Sequence, residues 1–146
     1  MNELIVFRLS GEYYGIEVTR VREIKTYETP THLPGTKPFV LGVINIRGEI
    51  VPVIDLTLRF DDQAVRRYCE TTLIVTTKTS DNRMVAVVVD AIETLAYFSP
   101  NDIIGLGEEM FMINHQFLAG LVDIEHHYVS IINVDTLFSQ EEINHY

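Results

Sequence analysis

Thiol chemistry is almost missing from this chain, whose one cysteine is Cys69. No internal disulfide and no thiolate zinc cluster can form. Between Arg66–Arg67 and Glu70 the cysteine reads as an inert thiol. Tryptophan is absent, and basic residues are few: 11 Lys and Arg face 21 Asp and Glu, a formal charge of −10. Phosphate backbones and anionic lipid surfaces need a basic stripe. Here the basic pairs are only Arg66–Arg67 and the spaced Arg20/Arg22. Nucleic acid is therefore not expected as a partner. No apolar run approaches the roughly 18 residues of a spanning helix. The start, MNELIVFRLSGE, carries an acid at position 3 and a short apolar run, so it does not read as a signal peptide. The expectation is a cytoplasmic protein without direct membrane insertion.

Signatures of catalysis are missing as well. There is no Walker loop, G-x-S-x-G elbow or H-E-x-x-H string. Gly105-Leu106-Gly107 lacks a third glycine, Met110 standing in its place, and no strand feeds directly into it. His126 and His127 are adjacent, and neighbours on a strand point to opposite faces. Without a third spaced ligand they read as an exposed turn, and His32, His115 and His145 form no cluster. Asp61–Asp62 and Glu141–Glu142 lie in polar surroundings that would not raise a carboxyl pKa for acid catalysis. No catalytic residue, metal or cofactor is expected.

What the chain does contain is a duplication. Residues 39–60, FVLGVINIRGEIVPVIDLTLRF, align without a gap on residues 117–138, FLAGLVDIEHHYVSIINVDTLF. Phe39, Gly42, Ile46, Val51, Ile54 and Phe60 recur as Phe117, Gly120, Ile124, Val129, Ile132 and Phe138. Asn45 and Asp55 become Asp123 and Asn133, similar in shape and polarity. Upstream, LIV at 4–6 answers LIV at 73–75, and GIEVTRVREI (15–24) answers AVVVDAIETL (86–95). Two similar β-rich halves follow, about 1–66 and 67–146, within one domain spanning 1–146. Whether strands cross between the halves is left open. At this length a chain buries roughly 68–70% of its unfolded surface, so one compact unit needs no staple.

Alternating apolar runs predict strands at 4–9, 13–18, 21–27, 40–46 and 49–54. A second set is predicted at 71–78, 83–90, 91–98, 117–124 and 128–133. Residues 29–38 hold three prolines and a glycine and read as an extended loop, while polar residues 61–70 connect the halves. Pro52 donates no ladder hydrogen bond, which places its strand at an edge or turns its N–H side outward. Asp55 suits the N-cap of a short helix reaching Phe60. Asn133 suits the cap of a C-terminal helix over about 134–144, with Val134, Leu137, Phe138 and Ile143 inward. The fold class is all-β with short helices: two small barrels and a C-terminal helix.

The turns of the two copies differ. The first turns through Arg47–Gly48, the second through Glu125–His126–His127. A scaffold repeated for packing keeps its apolar positions and lets its turns drift, so the unmatched Arg47 is a functional candidate. An arginine at a hairpin tip offers a rigid fork of donors to a partner's carboxylate; the plainer alternative is a solvated turn residue. Glu23, between Arg22 and Ile24, is a similar candidate whose alternative is an ion pair with a neighbouring strand.

YYGIEVTRVREI (13–24), LPGTKPFVLGVINIRGEIVPVIDL (33–56) and MVAVVVDAI (84–92) resemble the signature stretches of the CheW-like coupling proteins of bacterial chemotaxis. Asn45, Arg47, Gly48, Pro52, Asp55 and Leu56 carry the N-x-R-G-x-x-x-P-x-x-D-L string, and the likeness runs from about residue 4 to the C-terminus. Ala86 replaces a usual glycine, IIN at 131–133 replaces leucine-leucine-aspartate, and 103–116 lacks the prolines often found there. The resemblance implies two five-stranded SH3-like barrels and a non-enzymatic adaptor. Its partners would be the cytoplasmic tip of a methyl-accepting chemoreceptor and the regulatory domain of a CheA-type histidine kinase. An adaptor of the same fold for another output, such as surface motility, is the alternative; a ligand-binding or enzymatic barrel using the histidines is a more distant one. By position, Val21, Glu23, Gly42 and Arg47 match family residues linked to receptor or kinase coupling, and Leu95 and Gly120 match such positions in the second half. Gly42 and Gly120 have an alternative role in the backbone, since both fall at one point of the repeat where a side chain could clash.

Overall fold

The computed structural model describes residues 1–104 and 117–137. Its strands are β1 (Asn2–Leu9), β2 (Glu12–Glu17), β3 (Val21–Thr26), β4 (Val40–Ile46) and β5 (Glu49–Asp55). After the short helix α1 (Leu56–Phe60) come β6 (Leu73–Lys78), β7 (Met84–Val89), β8 (Ala91–Phe98), β9 (Leu118–Ile124) and β10 (His127–Ile132). They form two five-stranded sheets. The first barrel has the order β8-β1-β2-β10-β9, and the second has β3-β6-β7-β5-β4. Replacing each strand by its repeat mate (β1 by β6, β2 by β7, and so on) turns one order into the other.

Each barrel draws strands from both halves of the sequence. The short connections require it. Only Asp90 separates β7 from β8, whereas a tight hairpin needs two turn residues. The chain therefore cannot fold β8 back on β7 and runs on into the other barrel, where β8 pairs β1. The equivalent step from β2 to β3 passes through a 3-10 turn at Val18–Arg20.

Three apolar layers follow from the strand alternation. Leu4, Val6, Phe98, Val122 and Val129 fill the first barrel. Ile44, Val51, Val53, Ile74 and Val88 fill the second. Between them lies a shared layer to which Phe7, Ile16, Phe39, Val87, Phe117 and Leu137 contribute. The Arg59 guanidinium lies over Phe39 and Phe117, 4.3 and 4.4 Å from the ring centroids. These rings are repeat mates, so one cation joins the two copies through their π faces.

Most predicted strands form within a residue or two of their expected ends. Two expectations change. Of the two alternatives for Pro52, the edge is excluded, because β5 lies between β7 and β4. Val43, paired with Pro52, exchanges both backbone hydrogen bonds with Thr31 instead, at 2.8 and 2.9 Å. Pro52 nitrogen thus faces β7, whose parallel pairing begins only at Val53, and an interior strand tolerates the missing donor there. The second β-hairpin turn is also shorter than expected. It uses Glu125–His126, leaving His127 in β10, and both turn residues hold positive φ, 49° and 71°. Arg47 and Gly48 do the same at 52° and 86°. Non-glycine residues hold this conformation at about 1–2 kcal/mol each. A side-chain oxygen helps both turns: the Asn45 amide Oδ1 accepts from Gly48 N at 2.8 Å, and the Asp123 carboxylate Oδ1 accepts from His126 N at 3.0 Å. Where a C-terminal helix over about 134–144 is expected, the described residues form a 3-10 turn, Val134–Thr136, capped by Asn133, with Val134 buried and Leu137 buried just after it. The remainder of that expected range, with Phe138 and Ile143, lies outside the described residues, as do Gly105, Gly107 and His115.

Candidate protein-docking surface

Two of the residues singled out from sequence meet directly. Arg47 Nη2 stands 3.4 Å from Glu23 Oε2, with the arginine side chain 86% exposed and the glutamate 28% exposed. The pair ties the β4–β5 tip to β3. Little stability rests on so exposed a contact, which leaves a forked donor displayed at the end of the second barrel. Val21 begins the same strand, opposite Thr77, and is half-buried against the shared layer.

Leu95 lies in the other barrel, on β8 opposite Ile5, and is 58% exposed. Its repeat mate is Ile24, also exposed on β3. Ile50 and Tyr128 are a second such pair, 62% and 63% exposed. Single exposed apolar residues need no explanation. The same positions exposed and apolar in both copies do, because a duplicate kept only for packing would let them become polar.

Gly42 and Gly120 are buried and serve the backbone. A Cβ on Gly42, at φ +145°, would sit 2.2 Å from the Thr31 carbonyl oxygen. One on Gly120, at φ +153°, would sit 2.3 Å from Ile103 Cγ2. In each copy a chain segment crosses here and bridges the edge strand, Thr31 to Val43 and Ile104 to Leu121.

Sequence reading missed a polar cluster at the seam. Asp55 was expected only as a helix cap, and it does accept from Thr57 N at 2.8 Å. It is also fully buried, and its other oxygen accepts from Arg66 Nε at 2.8 Å and from Tyr68 OH at 2.5 Å. Arg66 reaches on to Asp90 and Ser10, each at 3.3 Å. One guanidinium from the polar connection thus clasps β5 of the second barrel to the β1–β2 turn of the first. Burial, then the Asp55 hydrogen bond, pushes the Tyr68 phenol far above its ordinary range. The signal available in sequence was an arginine and a tyrosine in a segment otherwise read as linker.

A second clasp joins the barrels at the repeat-equivalent place. Asp135 accepts from Ser80 N at 2.8 Å and Ser80 Oγ at 2.6 Å, with Arg20 Nη2 3.6 Å away. The Ser80 hydrogen bonds hold the Asp135 carboxyl below the usual aspartate range. A depressed carboxyl contributes fully above its unfolded value, about 3.9, and the contribution is lost as pH falls through the lower folded value. The Asp135→Asn variant should therefore lose less stability than the parent between about pH 5 and pH 2. The difference should stay within about 1 kcal/mol, because a third of the side chain is in water. Denaturant melts at stepped pH measure it, and parallel acid limbs would count against the clasp.

Cys69 is exposed, and a Thr71 hydrogen bond holds its thiol below the ordinary value. Among the described residues no group of three His, Cys, Asp or Glu is placed to hold a metal, and no helix is long and apolar enough to cross a membrane.

The sequence model of the CheW-like domain matches residues 3–142. The chemotaxis protein CheW of Klebsiella aerogenes is 32% identical over 97% of this chain and 84% of its own length. That of Rhizobium meliloti is 30% identical over 96% and 89%. The crystal structure of the scaffolding protein TtCheW from Thermoanaerobacter tengcongensis superposes with a TM-score of 0.85 at 28% identity, covering 97% of this chain and 90% of that one. Alike in sequence and in fold over nearly all its length, the chain belongs to the CheW-like domain family.

Proposed function

We propose that this chain is a cytoplasmic, non-enzymatic adaptor that couples chemoreceptor tips to the regulatory domain of a CheA-type histidine kinase. The observation that carries the reading is the recurrence of exposed apolar residues at equivalent places on both barrels, Ile24 with Leu95 and Ile50 with Tyr128. Apolar surface rimmed by charge is what transient protein contacts use. A two-barrel chain can offer one such surface to the receptor and the other to the kinase. Val21, Glu23 and Arg47 belong to the second-barrel surface and Leu95 to the first-barrel surface. Gly42 and Gly120 act indirectly, by letting the crossing segments seat.

The test is Arg47→Glu in a reconstituted receptor–kinase assembly. Kinase activation should fall about tenfold, equivalent to 1.4 kcal/mol of lost contact. The melting temperature should move by no more than about 2 °C, as befits an exposed residue. Unchanged activation would remove Arg47 from the docking surface.

A further inference from the structure

The barrels differ in charge at one corner. In the second barrel Arg47 at the β4–β5 tip lies against Glu23 of β3. The repeat maps Arg47 onto Glu125, Glu23 onto Thr94 and Arg22 onto Glu93. The ladders confirm the mapping, since Arg22 is the residue skipped between β3 and β6, and Glu93 the one skipped between β1 and β8. The backbone corner is the same, but its cations have become acids.

At this corner of the first barrel lies an open notch of about 140 Å³. Val6 and Ile124 supply apolar lining, and Glu93, Thr94 and Glu125 line it too. Tyr13 and His127 line it as a ring pair with centroids 4.4 Å apart. Glu93 is ion-paired with Arg8. Glu125 is exposed and makes no ion pair or side-chain hydrogen bond among the described residues, so its carboxylate is open to a partner's donor.

We propose that this notch receives an arginine or lysine side chain from a partner protein, supplying in trans the ion pair that the second barrel makes in cis. The aliphatic stem would lie on Val6 and Ile124. The head would meet Glu125, with Glu93 beside it, and stack on the Tyr13–His127 rings. A guanidinium fits better than an ammonium, being planar, weakly hydrated and able to stack. The proposal deepens the docking reading by naming the chemistry one surface recognises.

Titration of the isotopically labelled chain with N-acetyl-arginine amide tests it without receptor or kinase. Saturable shifts are expected at Thr94, Ile124 and Glu125, with a Kd in about the millimolar range. N-acetyl-citrulline amide, similar in shape but uncharged, should bind at least about fivefold more weakly, and so should the arginine probe to Glu125→Gln. Thr94→Glu with Glu125→Arg rebuilds the second barrel's ion pair and should abolish the shifts. If that double variant loses its spectral dispersion, Glu125→Gln alone decides. Equal responses to the two probes, an undiminished response in Glu125→Gln, or shifts centred elsewhere would overturn the proposal. Probe binding alongside a silent Arg47→Glu would separate this site from the docking reading.

Discussion

Replacing Arg66 with alanine should cost about 3–5 kcal/mol, the usual result of stranding one member of a buried ion pair. Asp55 is fully buried and Arg66 only 11% exposed, so losing the donor strands a carboxylate deep in the seam. At about 2–4 °C per kcal/mol for a chain of this size, the melting temperature should drop by roughly 10 °C. The mechanism makes a sharper demand on a second variant. Asp55→Asn in the Arg66→Ala background removes the stranded charge yet keeps an oxygen for the Thr57 amide, so much of the loss should return. Tyr68→Phe should cost about 1–3 kcal/mol by removing the other donor to the same oxygen. Because the neutral phenol is the donor, its contribution is complete below about pH 10 and is lost as pH rises beyond it. Urea melts measure all three variants. A loss below about 1 kcal/mol for Arg66→Ala would mean that Asp55 is not sealed from water.

Gly42→Ala should be comparably damaging, and its repeat mate is the control. A methyl at 42 would collide with the Thr31 carbonyl, which is backbone and also accepts the Val43 amide at 2.9 Å. Relief requires the crossing segment to lift, losing two hydrogen bonds worth about 1 kcal/mol each on top of about 1–3 kcal/mol of backbone strain. The sum is about 3–5 kcal/mol. At Gly120 the atom met is the Ile103 Cγ2 methyl, side chain rather than backbone but on a stiff β-branched carbon, so Gly120→Ala should cost the strain, about 1–3 kcal/mol, plus a smaller shift of Ile103. Thermal melts of the two variants give the ordering. If Gly42→Ala melted like the parent and still failed to activate the kinase, position 42 would be a contact rather than a seat for Thr31.

Much of this was legible beforehand. The gapless match of 39–60 with 117–138 gave two like halves, and alternation placed ten strands, because burying one face of a strand writes a period of two into sequence. The shared point of Gly42 and Gly120 in the repeat raised a close approach as the alternative to a docking role, although not which segment approaches. The Asn45/Asp123 and Asp55/Asn133 exchanges were recognised as conservative. Only the folded turns show why: each keeps a side-chain oxygen that accepts from a backbone N–H. Of the two places expected for Pro52, the edge fails and the unpaired N–H side holds, because an interior strand can lack a ladder partner at one residue, which depends on where the β7 ladder begins.

By itself the sequence determined the duplication, the strands, the turn positions and the prominence of Arg47, all properties of short windows read against one another. The tertiary structure decided which strands pair, since exchange between halves depends on connections too short to reverse. It decided too that Arg66 reaches a carboxylate eleven residues back and that one barrel corner carries an ion-paired arginine while its mate carries a notch lined by acids. Those features need groups far apart in the chain to become neighbours, and composition or periodicity carries no record of such distances.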